Sequence, residues 1–90
     1  MLKTLENLIS TIRQKKTLPD EKSYTSKLLR DKNLSVEKVK EEIAELIEAV
    51  ENNSNTVHEA ADVLYHLLVY LEGNGVRIED IMLELDKRRK

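Results

Sequence analysis

The sequence predicts an all-α fold, because helix breakers are scarce and apolar residues recur with helical spacing. The 90 residues include only two glycines and one proline. No long segment shows the two-residue alternation of a strand. Aromatic residues make up 3% of the chain, so aliphatic side chains must form most of the core. A chain this short buries a modest share of its surface alone. We therefore expect helical hairpins that form a core resembling a four-helix bundle, completed by dimerisation.

The predicted helices follow from local patterns along the chain. Residues 1–16 carry leucine and isoleucine on one stripe, which predicts the first helix. Residues 17–20 hold the only proline and predict a break. Residues 23–31 form either a short helix or an ordered loop. Ser35 is predicted to cap a helix that runs to about Glu51.

A polar turn and two further helices complete the prediction. Residues 52–55 form a tight connection, after which Thr56 is predicted to cap the next helix. That helix is expected to end at about Glu72, before Gly73, because glycine often follows the last turn of a helix. Residues 76–90 are predicted to form the last helix.

Length, charge and composition limit the possible classes of function. A length of 90 residues predicts one domain over 1–90. The chain has 15 basic and 17 acidic residues, a net charge of −2, which does not favour nucleic-acid binding. The absence of cysteine excludes thiol catalysis and zinc–thiolate sites. No apolar segment approaches the roughly 20 residues of a membrane span, and the charged N-terminus is unlike a secretion signal. We expect a cytoplasmic protein without membrane partners.

The predicted helix over 35–51 carries apolar and acidic side chains on opposite arcs. By itself this pattern is typical of an amphipathic helix with a solvated acidic face. The apolar arc holds Val36, Val39, Ile43, Leu46, Ile47 and Val50, and the acidic arc holds Glu41, Glu45 and Glu48, with Glu42 at its flank.

The following helix, over 57–71, is apolar on nearly every side, as a buried helix would be. Glu59, Asp62 and His66 nevertheless share one narrow face of it. Carboxylates in a buried helix are costly unless they are paired or bound to a metal ion. The conflict indicates a functional site on this face.

The short turn indicates an antiparallel hairpin that brings carboxylates to the same level. Glu45 then lies level with Asp62, and Glu48 level with Glu59, with Glu42 about one turn further along. Helix rotation decides whether these side chains face each other. If they do, the cluster requires a hard cation. Ligands that are all oxygen atoms favour Mg²⁺ or Mn²⁺ over zinc.

Other interpretations of these residues remain open. Thr56 and Glu59 fit a capping box, in which Glu59 would close the start of a helix. His66 is favoured as a core histidine bonded to a neighbour, and His58 as a surface residue. A di-iron carboxylate bundle requires glutamate three residues before a histidine on two helices. Neither histidine of this chain has that glutamate, so the di-iron interpretation is not favoured.

A resemblance to a known superfamily sharpens the metal-site prediction. Two acidic segments, 41–45 with the pattern Glu-Glu-x-x-Glu and 59–62 with Glu-x-x-Asp, resemble the metal motif of the all-α nucleoside triphosphate pyrophosphohydrolases. Within that superfamily, residues 23–29 and 59–69 resemble segments of the phosphoribosyl-ATP pyrophosphohydrolase family. Lys40 stands where that family usually has glycine, a departure that leaves the carboxylates intact. The resemblance extends from residue 5 to residue 88.

The resemblance implies a specific reaction and a specific site. The family hydrolyses 1-(5-phosphoribosyl)-ATP to 1-(5-phosphoribosyl)-AMP and pyrophosphate, the second step of histidine biosynthesis, as a Mg²⁺-dependent dimer. Glu41 is expected to be an additional metal ligand or a general base. The expected ligands of Mg²⁺, or of Mn²⁺, are Glu42, Glu45, Glu59 and Asp62. The expected substrate contacts are Ser23, Tyr24, Thr25, Lys38 and His66.

Two rival functions remain. The first is a housecleaning pyrophosphohydrolase of the MazG or dCTPase type, with the same metal site and another nucleotide. The segment around Tyr24 and the adjacent Tyr65 and His66 argue against it. The second is a non-enzymatic helical dimerisation module, which would explain the apolar helices but not Glu59 and Asp62 on a buried helix.

Overall fold

The structure is a computed structural model that describes residues 2–89, and these residues form five helices. No strand occurs in this range, which confirms the all-α prediction. Met1 and Lys90, at the outer ends of the predicted first and last helices, lie outside the described residues. None of the helices within 2–89 is both long enough and apolar enough to cross a membrane. The helices are α1 (Leu2–Thr17), α2 (Tyr24–Arg30), α3 (Lys32–Asn52), α4 (Thr56–Gly73) and α5 (Ile78–Arg88).

An antiparallel hairpin of α3 and α4 forms the centre of the fold, and each of the other helices packs against α4. The predicted tight turn joins the two helices. Asn53 and Asn55 both adopt left-handed backbone conformations, with φ of 52°. Asparagine tolerates this region better than most residues do, because its short polar side chain can bond locally. The turn chemistry therefore explains why the chain reverses here.

The beginning of α3 differs from the prediction. Asp31 occupies the N-cap, and its Oδ1 accepts a hydrogen bond from the backbone N–H of Leu34 at 3.0 Å. Ser35, the predicted cap, lies inside α3 and is buried. The prediction was wrong because Asp31 follows α2 directly and supplies the capping oxygen one turn earlier.

The beginning of α4 also differs from the prediction. Asn55 occupies the N-cap without a capping side-chain hydrogen bond, and Thr56 is the first helical residue. The Thr56 hydroxyl donates instead to the carbonyl oxygen of Ala49, at 3.4 Å. The capping-box interpretation of Thr56 and Glu59 is therefore wrong, because the turn directs the threonine hydroxyl to α3.

The main hydrophobic core lies between α1, α2 and α4. Ile12, Leu28 and Val69, one from each helix, are almost completely buried. Burying an aliphatic side chain of this kind contributes about 1.5–3 kcal/mol. The core cluster consists of Ile9, Ile12, Leu28, Leu68 and Val69.

One face of the hairpin leaves large apolar side chains exposed. The prediction that α4 is buried on nearly every side is wrong for the single chain, since Val57 is 84% exposed. The reason is that α1, α2 and α3 do not cover the whole circumference of α4. We call this surface the hairpin apolar face; it is formed by Ile43, Ile47, Val50, Val57 and Leu64.

The last helix begins later than predicted. Gly75 has a φ of 76°, a conformation that favours glycine, and α5 starts at Ile78 with Arg77 at its N-cap. Arg13 of α1 contacts both Glu72 near the end of α4 and Glu79 in the first turn of α5. These ion pairs tie α5 to the remainder of the fold.

Candidate functional site

Five acidic side chains on α3 and α4 form the candidate site. On α3 the carboxylate oxygens of Glu41, Glu42 and Glu45 lie within 4.8 Å of one another. On α4 the corresponding group contains Glu59 and Asp62, with an atom of His58 within the same distance. We call Glu41, Glu42, Glu45, Glu59 and Asp62 the carboxylate cluster.

Glu45 joins the two halves of the carboxylate cluster. Burial raises the pKa of Glu42, and the carboxylate of Glu45 raises it further. Burial also raises the pKa of Glu59, and Glu45 again is the next largest cause. Asp62 adds to the increase at both residues. Because each charge opposes ionisation of the others, the side chains of α3 and α4 act as one electrostatic unit.

Two oxygens of the cluster lack a hydrogen-bond partner. Glu42 is only 7% exposed. Its Oε2 atom, and Oε2 of Glu59, are buried without a partner among residues 2–89. Buried carboxylate oxygens of this kind are costly unless a cation or a donor compensates them. Oxygen atoms dominate the donor set, as a hard cation such as Mg²⁺ requires, so the cluster fits that ion.

The surroundings of the cluster agree with the expected hairpin register. Glu48, which was expected to lie level with Glu59, lines the same pocket as Glu59 and Glu45, with a volume of about 280 Å³. His58 is exposed, as expected, and its Nε2 lies 3.4 Å from Oδ2 of Asp62. The hairpin thus leaves open space beside the carboxylates.

His66 is buried, and both of its ring nitrogens are engaged within the protein. Nε2 lies 3.0 Å from the hydroxyl of Tyr24, and Nδ1 lies 2.8 Å from the carbonyl oxygen of Asp62. His66 is therefore the core histidine that was favoured from the sequence. This arrangement leaves neither ring nitrogen free for a ligand.

The four other expected substrate contacts lie on α2, at its N-cap, and on α3. Ser23 is the N-cap of α2, and its hydroxyl accepts a hydrogen bond from the N–H of Ser26 at 3.2 Å. The hydroxyl of Thr25 is hydrogen-bonded to the hydroxyl of Tyr65. These two side chains thus have structural partners, and α2 is a helix rather than a loop.

Tyr24 and Lys38 remain available at the edge of the cluster. Tyr24 is 43% exposed. The ammonium of Lys38 lies 3.5 Å from Oε2 of Glu41, whose negative charge is the largest cause of a raised pKa of Lys38. A cationic donor therefore stands directly beside the carboxylates.

In the sequence interpretation, Tyr65 served only to argue against a housecleaning enzyme, and its side chain was not placed in the site. Its ring lies against both neighbours in the site, with centroid separations of 6.3 Å to Tyr24 and 5.0 Å to His66. The three rings join α2 to α4 beside the cluster. The signal was available in the sequence, because the chain has only three tyrosines and no other aromatic residue except histidine.

The helical hairpin presents converging, partly buried carboxylates. The class of protein is therefore an all-α protein with an acidic site that is compatible with a metal ion. The family model for phosphoribosyl-ATP pyrophosphohydrolase matches residues 5–89. The chain therefore belongs to the phosphoribosyl-ATP pyrophosphohydrolase family, and it is a hydrolase. The family expected from the resemblance is confirmed, and the non-enzymatic alternative is no longer favoured.

Individual relatives agree with the family match. A phosphoribosyl-ATP pyrophosphatase of Methanoregula boonei is 42% identical over 94 residues, covering 99% of this chain and 90% of that protein. One from Halobacterium salinarum is 38% identical and covers 94% of this chain and 96% of its own length. The chloroplastic histidine biosynthesis bifunctional protein of Arabidopsis thaliana is 42% identical over 97% of this chain. The chain spans only 33% of that bifunctional protein.

Proposed function

We propose that this chain hydrolyses 1-(5-phosphoribosyl)-ATP to 1-(5-phosphoribosyl)-AMP and pyrophosphate in histidine biosynthesis. The observation that carries the proposal is the carboxylate cluster with its buried, unpartnered Glu42 oxygen, in a chain of this family. The names of the Methanoregula and Halobacterium relatives specify phosphoribosyl-ATP as substrate. A housecleaning enzyme would share the cluster, but those names favour the histidine pathway.

Mg²⁺ is the proposed cofactor, with Mn²⁺ as the alternative ion. Two observations support this choice: the oxygen-rich donor set and the two buried carboxylate oxygens that lack partners. When bound, such an ion would polarise the phosphate and lower the pKa of a coordinated water. The residues proposed to hold it are Glu42, Glu45, Glu59 and Asp62.

The remaining residues of the site are proposed to position water and phosphate. Hydrolysis requires a water oxygen to attack the α-phosphorus while the bond to the bridging oxygen of the leaving pyrophosphate breaks. Glu41 is the exposed member of the cluster that is not proposed as a metal ligand, so its carboxylate can accept the proton of that water. Lys38 is proposed to donate to a phosphate oxygen, because its ammonium stands at the same edge. Its positive charge would offset the charge of the phosphates.

We also propose that the chain works as a homodimer that covers the hairpin apolar face. The hairpin register expected from the sequence puts Ile43 level with Leu64, and Val50 level with Val57. The exposed side chains of α3 and α4 can therefore form one continuous patch. Packing two such hairpins together would produce a four-helix bundle and supply the core that a chain of 90 residues needs.

A location in the cytoplasm remains part of the proposal. The name of the Arabidopsis relative places that protein in the chloroplast. Fractionation of cells that express the chain with its natural flanking sequence would test the location.

The decisive experiment measures pyrophosphate release from phosphoribosyl-ATP, with and without Mg²⁺, beside ATP, dUTP and dCTP. We expect Mg²⁺-dependent turnover of phosphoribosyl-ATP and at least about a hundredfold lower kcat/KM for the other nucleotides, because a hydrogen-bonding site rejects substrates that leave its polar groups unpaired. Preferential turnover of dUTP or dCTP would support the housecleaning alternative. Activity that persists after chelation would contradict the metal assignment.

A further inference from the structure

Tyr24 and His66 connect α2 to the carboxylate cluster through two consecutive hydrogen bonds. The first joins the Tyr24 hydroxyl to Nε2 of His66 at 3.0 Å. The second joins Nδ1 of His66 to the carbonyl oxygen of Asp62 at 2.8 Å. Since Asp62 also carries a carboxylate of the cluster, His66 links the tyrosine to the helical turn that bears this side chain.

The carbonyl acceptor fixes the direction of the bond at Nδ1, and a neutral imidazole fixes the direction of the bond at Nε2. A carbonyl oxygen can only accept, so Nδ1 of His66 must carry the proton of that bond. In the neutral imidazole, Nε2 then has no proton and accepts from the hydroxyl of Tyr24. The single proton of the Tyr24 hydroxyl is thereby committed to His66. Toward a ligand, the Tyr24 oxygen then acts only as a hydrogen-bond acceptor, through its lone pairs.

Tyr24 is placed where a ligand of the cluster can reach it. The side chain is partly exposed, although burial raises the pKa of its phenol. Lys38 lowers that pKa, whereas Tyr65, Glu42 and Glu41 raise it, so the phenol lies within electrostatic reach of the site. The hydrogen bond between Thr25 and Tyr65 holds the same end of α2 on α4.

We propose that His66 is a positioning residue that presents the Tyr24 oxygen to the substrate as a hydrogen-bond acceptor for a ribose hydroxyl. Phosphate oxygens are acceptors at neutral pH and cannot pair with an oxygen that only accepts. Ribose hydroxyls are donors and can. The two side chains then contact different groups of the substrate: Tyr24 accepts from a ribose hydroxyl, and Lys38 donates to a phosphate oxygen. This inference rests on the proposed function, because it takes phosphoribosyl-ATP as the ligand.

The test is steady-state kinetics with phosphoribosyl-ATP and four substitutions. Tyr24→Phe is expected to raise KM about threefold to tenfold with kcat nearly unchanged, the effect of losing one neutral hydrogen bond. His66→Asn retains a donor near the Asp62 carbonyl but cannot reach Tyr24, and should raise KM equally. His66→Gln can return an acceptor to the Nε2 position and should restore KM. Tyr70→Phe removes a phenolic hydroxyl elsewhere on α4 and serves as the matched control.

The double variant Tyr24→Phe/His66→Asn shows whether His66 acts by positioning Tyr24 or by supporting the fold in general. If His66 acts through Tyr24, the double variant has the KM of either single variant, because the same interaction cannot be lost twice. Multiplied effects in the double variant, an unchanged KM in His66→Asn, or no rescue by His66→Gln would each overturn the inference. Circular dichroism of every variant reports whether the fold is retained.

Inhibition by inorganic pyrophosphate tests whether Tyr24 donates a hydrogen bond to the substrate or accepts one from it. As a product that presents acceptor oxygens, it should inhibit wild type and Tyr24→Phe equally and inhibit Lys38→Gln less. Weaker inhibition of Tyr24→Phe would show that Tyr24 donates to phosphate and would overturn the inference. If wild type does not hydrolyse phosphoribosyl-ATP, the proposed function fails and this inference fails with it. If wild type hydrolyses phosphoribosyl-ATP but the variants do not show the expected KM values, only this inference is overturned and the proposed function stands.

Discussion

Arg13 of α1 forms two parallel hydrogen bonds with the buried carboxylate of Glu72 on α4. Nε lies 3.0 Å from Oε1, and Nη2 lies 2.9 Å from Oε2. The same guanidinium contacts Glu79 of α5, and Lys16 donates to the backbone carbonyl of Glu72 at 2.6 Å. One side chain near the start of the chain therefore holds the end of α4 and the beginning of α5 together.

Removing Arg13 should destabilise the fold. Arg13→Ala leaves the carboxylate of Glu72, which is only 3% exposed, without its main partner. Breaking a buried pair typically costs about 3–5 kcal/mol, and the partial exposure of Arg13 reduces the expected loss to about 2–3 kcal/mol. Urea unfolding at fixed protein concentration measures the change. Arg77→Ala, which removes an exposed arginine that pairs with Glu79, is the matched control and should cost less than about 1 kcal/mol. Equal losses in the two variants would contradict the prediction.

The ion pairs of Arg13 also predict that the stability of the fold decreases at acidic pH. Hydrogen bonding to Arg13 lowers the pKa of Glu79 from 4.5 to about 2 and lowers the pKa of Glu72. A carboxylate whose pKa is lower in the folded state adds stability that is fully present above its unfolded value. That stability is lost as the pH falls from about 4.5 toward about 2. Urea midpoints across this range should decline less steeply for Glu79→Gln than for wild type. If the urea midpoints of wild type and Glu79→Gln decline in parallel with pH, the contact between Arg13 and Glu79 does not contribute to the loss of stability in acid.

Neutralising one member of the carboxylate cluster should separate activity from stability. Glu45→Gln and Asp62→Asn are each expected to abolish turnover while circular dichroism retains its helical signal. Without metal, Glu45→Gln should unfold at a higher urea concentration than wild type at pH 7, because Glu45 opposes ionisation of both Glu42 and Glu59.

The matched control for this pair is Glu51→Gln, an exposed position on α3 outside the cluster. It should leave both activity and stability nearly unchanged. Near-normal Mg²⁺-dependent turnover in Glu45→Gln and Asp62→Asn would remove these residues from the proposed site. A loss of stability in Glu45→Gln would contradict the expected repulsion.

A charge on the hairpin apolar face should prevent dimerisation. Ile47 is 55% exposed, and a second copy would bury it, so Ile47→Asp would place a carboxylate in an apolar interface. Analytical ultracentrifugation should then find a monomer where wild type is a dimer. Leu18, which is 68% exposed and lies outside this face, provides the matched control Leu18→Asp, which should remain dimeric. A monomeric wild type would refute the dimer proposal directly.

The sequence by itself determined the helices, the hairpin and the identity of the acidic cluster. Apolar spacing reveals a helix because side chains on one face recur every three to four residues. The short turn before Thr56 restricts the hairpin register: Glu45, expected level with Asp62, acts on Glu59 and lines the same pocket. These are consequences of local geometry, which depends only on neighbouring residues.

Only the tertiary structure decided which candidate side chains meet. Asp31 rather than Ser35 caps α3, because several polar residues near a helix start can cap it and packing selects one. Tyr24 meets His66 across 42 positions of sequence, and Arg13 meets Glu72 across 59. Such contacts depend on how each helix is rotated about its axis and docked on α4. That rotation results from packing in the whole core, so no local pattern in the sequence could reveal it.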